Sequence, residues 1–288
     1  MESASRTIKI VKKKPNIPFF LSAILFSLSL VALISYLILI QEENKAFDKV
    51  RGMVNGSVIS AKEDEKEKTE GLSYYLIDGV VVQERFKDLY MQNHDFIGWI
   101  KIDDTPIDYP VMYSPEDEEF YLHRDFDKNY SFGGCIFAGK GTDIGRPSDN
   151  IITYGHHMAN SSMYHDIDKY EDQDYYEAHK YIQFDTLRQN GTYEVIAAFR
   201  TEVHAKEEEF QGFEYWKFIN ARNEGEFNSF VSNCKALTPY TINTSASYGD
   251  QLLTLSTCAY HAVNGRFVVV ARRVGGAEVD LRRGPRGE

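Results

Sequence analysis

The hydrophobic pattern separates one long apolar run from a body of short alternating segments. Residues 19–40 contain no charged side chain and are rich in Leu, Ile, Phe and Ser. As a helix rising about 1.5 Å per residue, this run spans about 33 Å, which matches the hydrocarbon core of a bilayer. The pattern therefore predicts one transmembrane helix, and no second apolar run of similar length follows it in the sequence.

Charges around this run predict its orientation. Five basic residues and one acidic residue precede it, and Gln41-Glu42-Glu43 follows it. Because positive charge stays on the cytoplasmic side, residues 1–18 are expected to form a cytoplasmic basic tail, with everything after residue 40 outside. A cleaved signal peptide has the same polarity. Its apolar core, however, is usually about 7–15 residues long and ends in a small-x-small site, which residues 37–40 lack.

Composition divides the remainder of the chain into three parts. Residues 41–71 are polar and include the charged run 62–68, a pattern typical of a solvated spacer. The globular domain is expected at residues 72–274. The Arg-rich residues 275–288 are expected to form a disordered tail.

Short β-branched or aromatic segments, bounded by turn residues, dominate the expected domain. Eight short strands in about 200 residues favour a closed barrel or a sandwich. The predicted strands are residues 99–102, 107–111, 135–138, 151–154, 181–184, 193–203, 252–257 and 267–271.

Helical spacing interrupts this β pattern at three places. Residues 82–93 read as one helix, and residues 162–179 contain one or two more. The clearest helix is 226–237, because its apolar residues recur at helical spacing and predict a face packed on the sheet. Those residues are Phe227, Phe230, Val231, Cys234 and Leu237.

The charge balance excludes one functional class. Hydrophobic residues make up 43% and charged residues 26% of the chain, which is ordinary for a protein with a buried core. After residue 40 the sequence holds 27 basic and 42 acidic residues, a net charge of −15. An external body this acidic is a poor binder of nucleic acid phosphates.

The three cysteines occupy different environments. Cys234 lies on the apolar helical stripe, and Cys135 opens a predicted strand, so both are predicted to be buried. A disulfide between them stays open, although nothing in the spacing supports it. Cys258 ends a predicted strand in which alternation places Thr254, Ser256 and Cys258 on one polar face.

A thiol nucleophile needs a base or a cation to raise its thiolate fraction. His156 follows the apolar strand 151–154, and Arg266 opens the strand after Cys258. The three residues therefore offer a nucleophile, an acid/base group, and a cation for an oxyanion or a substrate. Each lies at the end of a predicted strand.

At these residues the chain resembles the sortases, the membrane-anchored cysteine transpeptidases of Gram-positive bacteria. Residues 254–258 read Thr-Leu-Ser-Thr-Cys, like the family's Thr-Leu-x-Thr-Cys strand, and Arg266 lies on the next strand. Residues 154–158 read Tyr-Gly-His-His-Met, the form of the histidine motif in class B. Class B members also carry extra N-terminal helices and a long helix between the sixth and seventh strands, which residues 207–237 fit.

The resemblance implies a closed eight-stranded β-barrel, preceded by a single-pass membrane anchor, whose groove binds a C-terminal sorting signal of the Asn-Pro-x-Thr-x type. Cys258 would attack the Thr carbonyl and form a thioester, which an amine of a lipid-linked cell-wall precursor or a pilin lysine would resolve. His156 would move the protons, and Arg266 would stabilise the oxyanion or hold the substrate. Ser256 and Thr257 are secondary candidates for substrate binding, and the chemistry requires no cofactor.

The sequence departs from some relatives after the cysteine. Those relatives carry an acidic residue there, whereas this chain has Ala259, so a Cys-His-Asp triad using that position is excluded. His157 is expected on the other face of the strand from His156, as a structural or rim residue.

Four alternative readings stay open. Residues His156, His157, Cys258 and His261 offer a zinc-ligand set, although consecutive histidines rarely bind one metal from a strand. A papain-like protease shares the Cys and His chemistry, but its cysteine signature is missing and the chain order is reversed. A pilin-polymerising class B sortase and a non-catalytic surface binding module on the same fold are the other two.

Overall fold

A computed structural model describes residues 17–61, 72–145, 148–203, 213–258, 264–281 and 284–286, without the side chains of residues 55–61 and 258. The chain divides into two compact units, Met1–Glu42 and Glu43–Glu288. In the first unit, the described residues form the start of helix α1 (Ile17–Ala61). This helix is long and apolar enough to cross a membrane, a property shared by membrane anchors and signal sequences.

The second unit begins within α1, earlier than the predicted domain start at residue 72. Phe47, Val50 and Val54 recur at i, i+3 and i+7, and all three are buried in the main core of this unit. The residues that the sequence assigned to a solvated spacer therefore include an amphipathic helical segment of the domain. Residues 62–71 lie outside the described part of the chain.

Eight strands close into a barrel, which confirms the predicted architecture. Around the barrel their order is β10-β8-β7-β3-β4-β5-β6-β9, with β4–β5 and β6–β9 parallel and the other described pairs antiparallel. The strands are β3 (Phe96–Lys101), β4 (Asp108–Met112), β5 (Ile136–Ala138), β6 (Asn150–Gly155), β7 (Tyr181–Thr186), β8 (Thr192–Glu202), β9 (Leu252–Cys258) and β10 (Gly265–Gly275).

A separate hairpin precedes the barrel and was not among the predicted strands. It consists of β1 (Tyr74–Ile77) and β2 (Val80–Gln83), joined by Asp78 and Gly79, which both have positive φ. An Asp-Gly pair between short apolar segments is a strong hairpin signal, since both turn residues tolerate that backbone conformation.

The predicted helices are present with shorter or shifted bounds. A 3₁₀ helix (Glu84–Phe86) leads into α2 (Lys87–Gln92), and a second 3₁₀ helix (His165–Glu171) precedes α3 (Gln173–Ala178). Helix α4 (Glu224–Leu237) lies between the sixth and seventh barrel strands, as expected. The Asn223 carboxamide oxygen caps it by accepting from the Glu226 backbone N–H at 3.0 Å.

Alternation along β9 and β10 separates two apolar cores. Leu253, Leu255 and Val269 belong to the main core, while Val268 and Val270 belong to a second cluster. That second cluster includes the apolar stripe of α4, with Phe227, Phe230 and Cys234. One face of these strands thus fills the main core, and the other face carries α4 and the strand positions of the candidate site.

Cys135 and Cys234 are free thiols buried in the two cores, as predicted, and they do not form a disulfide. Burial raises the pKa of both thiols, because an apolar surrounding disfavours the thiolate. Neither is therefore suited to act as a nucleophile at neutral pH.

The described residues after β10, 276–281 and 284–286, include several that contact the domain, in contrast to the predicted disordered tail. Glu278 and Val279 form isolated bridges with Gln189 and Leu72. The Arg286 guanidinium pairs with Glu84 at 2.7 Å. Backbone hydrogen bonds join these residues to Leu72 beside β1 and to Arg188 and Asn190 beside β7. Composition alone does not predict such contacts.

Candidate active site

The ends of three neighbouring strands meet at one edge of the barrel. Strand β9 lies between β6, which is parallel to it, and β10, which is antiparallel. Thr257 is paired with Gly155, and Cys258 is paired with Arg266. Since adjacent strands lie about 4.8 Å apart, His156, Cys258 and Arg266 are neighbours at the backbone level.

The strand pairing also places residues 258 and 266 on one face of the sheet. Thr254 and Ser256 pair with Val270 and Val268, which belong to the core under α4. Residues 258 and 266 continue those two rows by the two-residue period of a strand. Strand pairing thus brings residues 156, 258 and 266 to one edge of the barrel, while the side chain of Cys258 lies outside the described atoms. The catalytic roles of the three residues stay predictions.

His156 is held by the 3₁₀ helix Phe120–His123. Its Nε2 lies 2.9 Å from the carbonyl oxygen of Leu122. A carbonyl oxygen only accepts, so Nε2 carries the proton, and in the neutral ring Nδ1 is the unprotonated nitrogen. The ring also stacks on His123, with centroids 5.2 Å apart and an interplanar angle of 29°.

This environment favours the neutral form of the ring. Burial lowers the pKa of His156, the hydrogen bond to Leu122 partly opposes that change, and the charge of His123 lowers the pKa further. At neutral pH the Nδ1 of His156 can therefore act as a base, while Nε2 donates its hydrogen bond to the Leu122 carbonyl.

The hydroxyls of Ser256 and Thr257 have intramolecular partners. The Ser256 hydroxyl lies 2.7 Å from the Tyr215 hydroxyl, and the Thr257 hydroxyl donates to the Gly155 carbonyl at 2.7 Å. Both residues are about 1% exposed. These contacts fix β9 against β6 and against the segment before α4, and substrate binding by either residue stays a prediction.

Arg266 is half-buried and lies near Tyr154. One Nη1–H donates to the carbonyl oxygen of Gly265 at 3.0 Å. Burial raises the pKa of Tyr154, with smaller contributions from Tyr215 and Glu118, while the charge of Arg266 opposes that rise. The cation therefore lies within electrostatic reach of a tyrosine on the strand that carries His156.

His157 turns to a different element, consistent with the structural role expected for it. Its Nε2 donates to the Asp168 carboxylate at 2.9 Å, and its ring packs against His165 with centroids 4.3 Å apart. The two consecutive histidines therefore face separate partners, which does not fit a shared metal. Among the residues that the structure describes, no cluster of three potential ligands is present, and His261 lies outside them.

Sequence reasoning missed the partners of these side chains. Leu122 and His123 lie more than thirty positions before His156, and Tyr215 lies about forty before Ser256. No local motif marks them, because their contacts come from how the loops fold back over the barrel. Leu122, His123 and Tyr215 are distant from their partners in sequence and become neighbours only in the folded domain.

The chain matches the Sortase domain family over residues 100–274, more than half of its length. It therefore belongs to the sortase family, a family of cysteine transpeptidases.

Within that family the chain is most like class B. It is 28% identical to Sortase B of Staphylococcus aureus over 66% of this chain and 75% of that protein. It is 31% identical to Sortase B of Listeria monocytogenes, over 62% of this chain and 68% of that protein. A solved structure, a Staphylococcus aureus sortase B-substrate complex, has a similar fold: the TM-score is 0.67 at 24% identity, covering 84% of this chain and all of the other.

Proposed function

We propose that this chain is a membrane-anchored cysteine transpeptidase that cleaves a C-terminal sorting signal of the Asn-Pro-x-Thr-x type after Thr. It then joins the new C-terminus to an amine of a cell-wall precursor. The pairing of β6, β9 and β10, which brings residues 156, 258 and 266 to one edge of the barrel, carries this proposal. The solved Staphylococcus aureus structure of similar fold is a complex with a substrate.

In the first half-reaction the Cys258 thiol gives its proton to His156, and the sulfur attacks the carbonyl carbon of the signal's Thr. The Arg266 guanidinium stabilises the oxyanion that develops on that carbonyl. When the C–N bond breaks, His156 gives a proton to the leaving amine, and the protein substrate stays on the enzyme as a thioester.

In the second half-reaction an incoming amine attacks the thioester carbon. His156 accepts a proton from this amine, the C–S bond breaks, and the thiol is regenerated as the new amide forms. Water reacts at the same carbon when no amine is present, which gives net hydrolysis.

The resting state of the pair follows from the environment of His156. Burial lowers the pKa of His156, which favours the neutral imidazole over the imidazolium and so disfavours a thiolate–imidazolium pair. Turnover through such a disfavoured pair is slow and has an intermediate pH optimum.

Helix α1 supplies the anchor in this proposal. Its apolar stretch is long enough to cross a bilayer, and the basic residues before it favour a cytoplasmic N-terminus. The catalytic domain then lies outside the cell membrane, where surface proteins and lipid-linked precursors are found.

The test uses the full chain in detergent micelles beside Cys258→Ala. Both are incubated with quenched fluorescent peptides of the Asn-Pro-x-Thr-x form, with no amine, with triglycine, or with a lysine-containing pilin-type peptide. Mass spectrometry identifies the products. We expect cleavage after Thr, joining to an added amine, and loss of about 10³-fold or more in the variant.

The acceptor arms separate cell-wall attachment from pilin polymerisation, since the lysine peptide would be joined preferentially in the second case. Equal cleavage by wild type and Cys258→Ala would refute the cysteine mechanism. Binding of a peptide without cleavage, unchanged in the variant, would instead support a binding module.

A further inference from the structure

The 3₁₀ helix that holds His156 is itself held by residues 131–135. The Ser131 backbone N–H donates to the His123 carbonyl at 3.1 Å, and the Cys135 N–H donates to the Tyr121 carbonyl at 3.0 Å. The carbonyls on both sides of Leu122 are thus fixed by one segment. The Leu122 carbonyl between them is the one that accepts from His156.

Gly134 brings this segment into backbone contact with the helix. Its φ is +59°, a conformation that favours glycine. A Cβ at this position would lie 2.3 Å from the Leu122 carbonyl oxygen and 2.4 Å from that of Tyr121. With no side chain between them, a shift of segment 131–135 moves the Leu122 carbonyl directly.

Glu43 of α1 holds the other side of the same segment. One carboxylate oxygen accepts from the Ser131 hydroxyl at 2.9 Å and from the Phe132 backbone N–H at 2.6 Å. The Ser131 hydroxyl oxygen in turn accepts from the Gly134 N–H at 3.1 Å. Hydrogen bonds to a charged acceptor are among the stronger ones in proteins, so this carboxylate fixes the turn.

Glu43 is in turn part of a well-anchored helical segment. Phe47 and Val50, one and two turns further along α1, are 4% and 3% exposed. Phe47 packs edge-on against Tyr109 of β4, with ring centroids 5.3 Å apart. The carboxylate therefore projects from a fixed position rather than from a loose linker.

We propose that Glu43 is a positioning residue for His156, acting through Ser131, Gly134 and the Leu122 carbonyl. The inference rests on the proposed function only in giving His156 a catalytic role. The chain of contacts from Glu43 to His156 is independent of that function. It gives the α1 segment directly after the apolar run a task in catalysis as well as in attachment. Substrate turnover then depends on a residue that touches neither the substrate nor the strand ends.

The test compares Glu43→Ala with Glu42→Ala in the full chain in detergent micelles. Glu42 is the exposed neighbour and undergoes the same chemical change, so it is the matched control. Histidines are labelled with ¹³C and ¹⁵N, and His156→Gln identifies the His156 resonances. Glu43→Ala is expected to raise the titration midpoint of His156 towards that of an exposed histidine, because the ring gains solvent as the turn relaxes.

Turnover of the best-cleaved sorting peptide is expected to fall about tenfold in Glu43→Ala, through kcat rather than KM, because the base is displaced from its working geometry. Glu42→Ala is expected to match wild type in both measurements. Glu43→Gln retains one acceptor oxygen, so its titration midpoint and turnover are expected to lie between those of wild type and Glu43→Ala. If Glu43→Ala does not fold, Glu43→Gln provides the test.

The titration requires no turnover, so it tests the coupling even if no peptide is cleaved and the proposed function fails. A lower melting temperature with an unchanged His156 titration, in Glu43→Ala or Glu43→Gln, would mean that Glu43 only stabilises the fold. That result would overturn the proposal.

Discussion

Two consecutive histidines leave strand β6 towards two different 3₁₀ helices. His156 donates from Nε2 to the helix Phe120–His123, and His157 donates from Nε2 to the helix His165–Glu171, each at 2.9 Å. Each ring also packs against a histidine of the helix that holds it, His123 in one case and His165 in the other. The two arrangements differ in the acceptor, which is a backbone carbonyl for His156 and a carboxylate for His157.

Under the proposed function, that difference separates the reacting histidine from a structural one. A carbonyl orients the ring without contributing a full negative charge, so burial keeps His156 neutral and leaves Nδ1 as a base. A carboxylate adds a charged partner, and the His157–Asp168 pair fastens β6 to the neighbouring helix. Two adjacent histidines therefore differ in their chemical environment because their hydrogen-bond acceptors differ.

The largest expected effect comes from replacing each histidine in turn. His156→Gln removes the acid/base group and is expected to lower kcat/KM for the sorting peptide by about 10²–10⁴-fold. His157→Gln is expected to change kcat/KM by less than about threefold. Its main effect is a loss of stability, about 1–2 kcal/mol for the partly buried hydrogen bond to Asp168.

Peptide cleavage assays and thermal unfolding of the two variants provide these values. If His157→Gln lost as much activity as His156→Gln while keeping its stability, the division between the two histidines would be incorrect.

The second effect comes from displacing the carbonyl that holds His156. Gly134→Ala introduces a Cβ against the carbonyl oxygens of Tyr121 and Leu122 in a backbone with φ of +59°. We expect a loss of about 2–4 kcal/mol in the free energy of unfolding, from the unfavourable φ and the clash together. We also expect turnover to fall about tenfold or more, because Leu122 shifts away from His156.

Gly79→Ala is the matched control for backbone strain. Gly79 has φ of +82°, with no heavy atom within 4 Å of the position that an alanine methyl would take, and it lies in the β1–β2 turn. It is expected to lose about 1 kcal/mol and to keep full activity. Equal activity in the two folded variants would show that Leu122 does not position the histidine.

Strand-level features of the site were predictable from the sequence, and its supporting contacts were not. Cys258, His156 and Arg266 each lie where an apolar strand segment begins or ends, so their placement at strand ends followed from the bounds of those segments. The two-residue period added the prediction that Cys258 shares a face with Ser256. The resemblance to sortases supplied the closed barrel and the roles expected of the three residues.

The acceptor for His156 was hidden because any residue presents the same carbonyl oxygen, whatever its side chain. The contribution of α1 was hidden for a related reason. Phe47, Val50 and Val54 form a short apolar stripe within a charged segment. The average composition of residues 41–71 predicted a solvated spacer and concealed this stripe. The hairpin turn at Asp78-Gly79 did carry a local signal, and a search for turn dipeptides identifies it.

The smallest effect concerns the stacked ring of His123. His123→Phe keeps an aromatic ring against His156 but removes a charge that lowers the pKa of His156. We therefore expect the His156 pKa to rise slightly, still held below its ordinary value by burial. Because the native pKa is lowered, the unfolded chain binds this proton more tightly. Stability is therefore lost as the pH falls from about 6.5 through the native pKa, and His123→Phe should lose less of it.

Histidine NMR titration and urea unfolding between about pH 5 and pH 8 measure both effects, with turnover at neutral pH expected to change by less than about threefold. The matched variant is His165→Phe, which makes the same replacement beside His157. It is expected to leave the titration of His156 unchanged, because the two histidine pairs belong to different helices. A rise in the His156 pKa in both variants would mean that the His156–His123 and His157–His165 pairs are electrostatically coupled. The two histidines would then differ only in their hydrogen-bond acceptors.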